Sequence, residues 1–400
     1  MAFRTTLAMA ALVAFAIELP AFAQKNYGPG VSDTEVKIGS TGPLSDPAST
    51  ASAEMRSFAA YFAKINAEEG GVNGRKINVI TADDGGAAPR AIEQTRKLVE
   101  QDGVLFMANS LGSSAQLAVR QYLNDSKVPQ LFPASGAAPF YDARNSPWTI
   151  GFAPSNHREG RLIGKYVSET MPGAKIGVLY QNDDVGKDFL RGAKETLGNG
   201  VAIVAQQSYD VSDPKIDTQV ASLQASGADV LFAFAAEQAA AQAIRHAAAI
   251  GWKPKIFIPS SVPSASVLEA AGLDNAKGIV RAAYLKDAAS PGWEDDPDAK
   301  EFTAWMKKYD NSVGMPDSFA AVHGYVVGSL IEKILKAAGN DLSRENILKQ
   351  ASLLHDAAVP LLLPGITVGT SPTDHRAIDQ LRFEYFDGEN WVPTGNIVSE

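Results

Sequence analysis

The sequence predicts an α/β protein built as two doubly wound lobes. Three observations predict it. Segments patterned as strand and helix alternate almost throughout, the alternation begins afresh near residue 156, and no low-complexity linker separates the two rounds.

In the first round, Glu35 to Ser40 alternates as a strand, and Ser52 to Glu68 places Met55, Phe58, Phe62 and Ile65 on one helical face. Gly70 to Gly74 is a turn. Lys76 to Thr81 reads as a strand, Ala88 to Gln101 as a helix, and Val104 to Met107 as a buried strand. Ser113 to Asn124 is helical, and Pro129 to Phe132 is a short strand. The second round opens with a helix from Asn156 to Met171 and a strand from Lys175 to Tyr180. Helix Gly186–Leu197, strand 202–209, helix 216–225, strand 229–234, helix 237–250 and strand 255–258 follow. After about Gly278 the texture changes to helices at 298–309, 318–338 and 344–351. The second of these is long and amphipathic, with Phe319, Val322, Val326 and Leu330 on its apolar side. A final strand pair lies near Leu381 to Phe386 and Trp391.

Residues 1–23 read as a secretory signal peptide. Arg4 supplies the basic start, Leu7 to Ile17 the apolar run, and Ala21-Phe22-Ala23 the small-x-small site, which places cleavage after Ala23. The other reading is a membrane anchor, but eleven residues fall short of the roughly 20 needed to span a bilayer. The expectation is therefore an exported, periplasmic protein, and a monomer. With no cysteine, disulfides and a cysteine-linked lipid are impossible, so stability must come from apolar cores. The net charge of −9 and the lack of a basic run with interleaved aromatics argue against nucleic-acid binding.

Catalytic signatures are sparse. His157, His246, His323, His355 and His375 show no metal-ligand spacing, and there is no P-loop, strand-linked GxGxxG or GxSxG elbow. Ser212 to Lys215 matches S-x-x-K, but within a proline-containing loop. Asp83-Asp84-Gly85 reads as a metal site or a capped turn, and Gln181 to Gly186 as a turn and cap at a strand's carboxyl end. No cofactor is implied. Open α/β sheets bind ligands beyond the carboxyl ends of their strands, which singles out 41–45, 109–114 and 133–136. Ser113 and Ser114 begin a helix there, where free N–H groups and hydroxyls suit either a carboxylate or simple capping.

These segments also carry a resemblance. KIGSTGPLS at 37–45, INAEEGGVNGRKI at 65–77, KVPQLFPASGA at 127–137, KIGVLYQNDDVGKDF at 175–189, SGADVLFAF at 226–234 and FDGENWVP at 386–393 occur in order. Together they resemble the periplasmic solute-binding proteins of the branched-chain amino-acid (Leu/Ile/Val) type, from Val36 nearly to the C-terminus. The resemblance implies class I periplasmic binding protein architecture, with a ligand cleft between lobes joined by three crossovers. It implies closure on a small-molecule ligand and delivery to the membrane permease of an ABC importer. The lobes would comprise 27–155 with 284–378, and 156–283 with 379–400, with hinges near Pro154, Ala283 and Gln380.

Carried over by position, the resemblance places the ligand's carboxylate against Ser113 and the backbone of Ala134, Ser135 and Gly136. Gly136 stands where such proteins usually have threonine. Asn156 and Ser260 stand where amino-acid binders place the acids that hold an ammonium. Pro47, Val185 and Ala236 replace covering tyrosines. A buried ammonium without a carboxylate costs several kcal/mol. The expected ligand is therefore a carboxylate without an ammonium group, such as an aromatic or short aliphatic acid. The alternatives are an amino-acid or amide binder, a periplasmic ligand sensor, and a hydrolase lacking any visible nucleophile–base pair.

Overall fold

The computed structural model describes residues 25–45, 50–262, 264–288, 290–309 and 319–399. The signal-peptide reading and Pro47 lie outside the described residues.

The first sheet is parallel, with strands in the order Lys76–Asp83, Glu35–Gly42, Phe106–Ala108, Gln130–Leu131 and Thr149–Ile150. Val36 and Ile38 are buried in its second strand, as their alternation requires. One face is covered by Ala88–Glu100 and Ser113–Asp125, whose Ala91, Leu98, Val119 and Leu123 form a compact apolar cluster with Val104 and Met107. Thr50–Glu68 packs against Phe319–Ala338.

The second sheet has seven strands, ordered Trp391–Ser399, Gln380–Phe386, Val280–Ala283, Lys255–Ile258, Val230–Phe234, Lys175–Gln181 and Ala202–Tyr209. The first two are antiparallel additions to a parallel sheet. Val230–Phe234 is buried at every position, as a strand covered on both faces must be. The chain thus passes between the sheets three times: after Ile150, after Ala283 and before Gln380.

Two differences from the sequence reading have physical causes. The helix Phe319–Ala338 is enclosed on nearly all sides rather than amphipathic, because Thr50–Glu68 and Arg344–Ala351 both pack on it. Its polar residues are absorbed inside: Glu332 accepts from the Tyr61 hydroxyl. The strand Val280–Ala283 escapes sequence patterning because Arg281 sits in it. Its guanidinium is buried against Glu384 at 2.8 Å and lies over the Trp391 ring at 4.2 Å, so a charge occupies a position that alternation assigns to apolar residues.

Glycine sets one close helix contact. Helices Asn156–Thr170 and Asp184–Thr196 cross so tightly that a Cβ on Gly192 would collide with the His157 carbonyl and stand 3.0 Å from the Arg161 amide. Nothing lies within 4 Å of the same atom on Gly198. Gly192→Ala is expected to cost about 1–3 kcal/mol in chemical denaturation, as overpacking does, while Gly198→Ala stays within about 1 kcal/mol of the parent. Equal effects would show that the crossing is not rigid.

Candidate functional site

Two non-glycine residues turn the chain toward the space between the sheets. Asn109 and Phe132, buried at the carboxyl ends of neighbouring strands, adopt φ of 50° and 55°, the left-handed region that costs such residues about 1–3 kcal/mol. The loops that follow are joined: the Ala134 N–H donates to the Ser110 carbonyl at 2.9 Å, and Leu111 bridges to Ala134.

A cavity of about 230 Å³ opens there. From the first lobe it takes Leu111 and Ala134, Ser135 and Gly136; from the passages between the sheets, Pro154, Asn156 and Tyr284; from the second lobe, Glu237, Ser260 and Ser261. Glu54, Phe319 and His323 close one side. A second cavity of about 170 Å³ shares Glu237 and Ser261 with the first, and is lined by Val185, Ala236, Phe189 and Phe234.

The sequence-derived residues therefore separate into groups. Ala134, Ser135, Gly136, Asn156 and Ser260 meet in one cavity, while Val185 and Ala236 line its neighbour. Ser113 stands one hydrogen bond behind, with its Oγ 2.7 Å from the Ser135 Oγ. Ser114 is exposed and lines neither cavity. Nor do the two serines cap their helix: the N-cap is Gly112, and no side chain bonds the first turn. Asp183, by contrast, caps its helix through the Val185 and Gly186 N–H groups, as the turn-and-cap reading expects. Asp83 accepts from the Leu44, Ser45 and Gly85 donors, which makes the Asp83-Asp84-Gly85 segment a turn.

Gly136 has a local cause. A Cβ there would collide with the Asn156 carboxamide oxygen and sit 2.8 Å from the Pro154 carbonyl, so threonine cannot replace it while Asn156 keeps its place. The Asn156 N–H donates to the Gly136 carbonyl at 2.8 Å. The Tyr141 hydroxyl reaches the carbonyls of Ser135 at 3.1 Å and Ala153 at 2.7 Å, tying the same loop to the first passage.

The expectation of an acid-free cleft is corrected. Asn156, Ser260, Val185 and Ala236 carry no charge, but acids arrive from other elements. Glu54 and Glu237 line the cavity, and Glu159 lies directly behind Ser260. Glu54 Oε1 stands 2.8 Å from His323 Nδ1, both groups buried; the pair meets by distance but not in hydrogen-bond alignment. The His323 ring packs edge-on to Phe152 at 5.1 Å. Glu159 is 1% exposed and accepts two bonds from Ser260, from its N–H at 2.6 Å and from its Oγ–H at 2.6 Å. Burial pushes this carboxyl up to about 7, with the two Ser260 bonds opposing the rise. The phenols whose charges would reach it, Tyr141 and Tyr284, are kept neutral by burial. On the helix packed against it, Asp188 pairs with Arg191 at 2.8 Å. No sequence signal marks Glu159, since an acid in a helix's first turn ordinarily complements the helix dipole at the surface.

Among the described residues no helix is long and apolar enough to cross a membrane, and no cluster of three or more His, Asp or Glu is placed to hold a metal.

The sequence model of the family described as "Periplasmic binding protein" matches residues 35–389. The chain is 24% identical over 248 residues to the Leu/Ile/Val-binding protein of Escherichia coli K12, covering 62% of this chain and 66%, just under two thirds, of that protein. It is 22% identical over 305 residues to the leucine-, isoleucine-, valine-, threonine- and alanine-binding protein of Pseudomonas aeruginosa, covering 76% and 79%. A branched-chain amino acid ABC transporter protein from Thermus thermophilus, solved with bound valine, superimposes with a TM-score of 0.81 at 17% identity over 92% and 98% of the two chains. A fatty acid ABC transporter substrate-binding protein from Thermomonospora curvata superimposes at 0.76 and 22% identity over 94% and 95%. Both likenesses establish the fold.

Glu159 gives the site a pH dependence of definite sign. In the fold its carboxyl keeps its proton up to about 7; unfolded, it releases it near the ordinary 4.5. Between those values unfolding releases a proton, so its contribution is full below about pH 4.5 and is lost as pH rises through 7. In denaturation of the parent and Glu159→Gln, the parent's stability relative to the variant should therefore fall from pH 4.5 to 7. A difference that does not fall over that range would mean the buried carboxyl is ionised throughout.

Proposed function

The chain belongs to the periplasmic binding protein family, matched over residues 35–389, and on that premise we propose that it captures a small carboxylate without an ammonium group for an ABC importer. It would work in the periplasm, as a monomer, by binding rather than chemistry, and would deliver its ligand to a membrane permease. The leader read over residues 1–23 fits this placement.

The observation that carries the ligand reading is the state of Ser135. Its Oγ accepts from the Ala137 N–H at 3.2 Å and meets the Ser113 hydroxyl at 2.7 Å. Either hydroxyl of that pair can donate; where Ser113 does, both Ser135 lone pairs are occupied and the Ser135 proton is left for the cavity. Beside it, the Gly136 N–H has no partner among the described residues. In that arrangement Ser135 and Gly136, both in the cavity wall, would supply two donors for a carboxylate, and Leu111, Tyr284 and Phe319 offer apolar surface for its body. Two of the three acids are already engaged: Glu159 is taken by Ser260, and Glu237, in the first turn of Glu237–Ala249, has a partner, while Glu54 stands beside His323 without a hydrogen bond.

An amino-acid ligand is the second reading. It is favoured by Glu54 and Glu237 in the cavity wall and by the amino acids named for the relatives. Calorimetry separates the two. Benzoate or 4-methylpentanoate should bind, and leucine and glutamate should not; tight leucine binding with no response to the plain acids returns the protein to the amino-acid branch. Ser135→Ala should weaken carboxylate binding by about 1–3 kcal/mol, the range for a hydrogen bond to a charged group.

Three short passages between the sheets support hinge closure around the ligand. X-ray scattering should show a smaller radius of gyration at saturating ligand. An unchanged profile would mean that binding does not close the cleft.

A further inference from the structure

Resting on the carboxylate reading, we infer that the ligand also carries a neutral hydrogen-bond donor, a hydroxyl, at the end facing Ser260, and that Glu159 is the positioning residue that makes Ser260 accept it. The argument is one of proton direction. Ser260 lines the cavity, yet both of its protons point away from it: the N–H donates to Glu159 Oε1 and the Oγ–H to Oε2, each at 2.6 Å. What Ser260 Oγ can offer a ligand is therefore a lone pair. The opposite wall takes the reverse sense when Ser113 donates to Ser135, which frees the Ser135 proton beside the unpartnered Gly136 N–H. A plain carboxylic acid satisfies the first wall and leaves the Ser260 lone pair facing apolar ligand. A hydroxylated carboxylate satisfies both.

Ser260 is neutral, so it takes a hydroxyl without requiring a charge. A carboxylate at this place would hold an ammonium directly. Glu159 is set one residue deeper, with both oxygens bonded to Ser260, and its charge reaches the ligand only through the direction in which it holds the Ser260 proton. Glutamine at 159 would keep one acceptor for the Ser260 N–H but donate from its amide to Ser260 Oγ. The Ser260 proton would then be free to turn into the cavity, and acceptor would become donor.

The test uses the whole protein and ligand series in which only one group changes. One series is 4-methylpentanoate, 2-hydroxy-4-methylpentanoate and leucine; the other is benzoate, 4-hydroxybenzoate and 4-(aminomethyl)benzoate. Calorimetry is run at pH 8, where Glu159 is ionised, and at pH 6, where its carboxyl, pushed up to about 7, is protonated. At pH 8 the hydroxy member of at least one series should bind about 3- to 10-fold more tightly than the plain acid, the worth of one neutral hydrogen bond. In Ser260→Ala and in Glu159→Gln that ratio should fall to about 1, whatever the change in affinity for the plain acid. The parent at pH 6 should move toward the Glu159→Gln result. A merely structural Glu159 would lower both affinities together and leave the ratio standing, which overturns its positioning role. Should Glu159→Gln fail to fold, Ser260→Ala and the pH comparison decide. Plain and hydroxy acids binding equally in both series overturns the inference and leaves the carboxylate reading intact. Binding of neither, or tightest binding of the ammonium member, overturns both.

Discussion

A buried carboxylate that meets no cation among the described residues is the constraint around which the cleft is arranged. Glu159 cannot remain charged in an apolar interior without donors, and Ser260 supplies two of them at 2.6 Å. That pair ties the first turn of Asn156–Thr170 to the carboxyl end of Lys255–Ile258. Three residues earlier, Asn156 closes against Gly136 of the other lobe. One helix start, just past the first passage between the sheets, thus sets the position of both walls.

How much of this is legible in the sequence depends on how local its cause is. The strands Glu35–Gly42 and Val230–Phe234 are visible because alternation or an unbroken apolar run suffices to mark them. Val280–Ala283 is not, since its arginine is made tolerable only by Glu384 and Trp391, a hundred residues away. The same rule sorts the site. Ala134, Ser135 and Gly136 follow a strand directly, and Asn156 and Ser260 are placed by the ordered motifs around them. Glu54 and His323 come from separate helices and meet only because Thr50–Glu68 packs on Phe319–Ala338, a contact no spacing announces. Ser114 shows the opposite error: a hydroxyl at a helix start faces solvent because its neighbour takes the inward direction.

Gly136 and Asn156 are a single feature rather than two departures from the amino-acid-binding pattern. The carboxamide fills the volume a Cβ at 136 would need, so a change at either position alone leaves a clash or a void. Ser135, backed by Ser113 and the Ala137 N–H, is the hydroxyl next to Gly136 in the cavity wall.

Residues that line the cavity also lie on the passages that join the two sheets. Pro154, Asn156 and Tyr284 lie on two of the three passages and line the cavity, and Tyr141 fastens the Ser135 loop to Ala153 on the first of them. If the lobes close as proposed, a ligand touching both walls would gain its second set of contacts on closure, and its preference for the closed form would be the free energy of those contacts. Because the net charge of −9 repels an anion at long range, selectivity for the proposed carboxylate would have to arise at short range, from donors in the cavity wall. On the carboxylate reading, the Ser135 hydroxyl paired with Ser113 and the Ser260 hydroxyl held on Glu159 would carry more of the recognition than the charge of the surface around them.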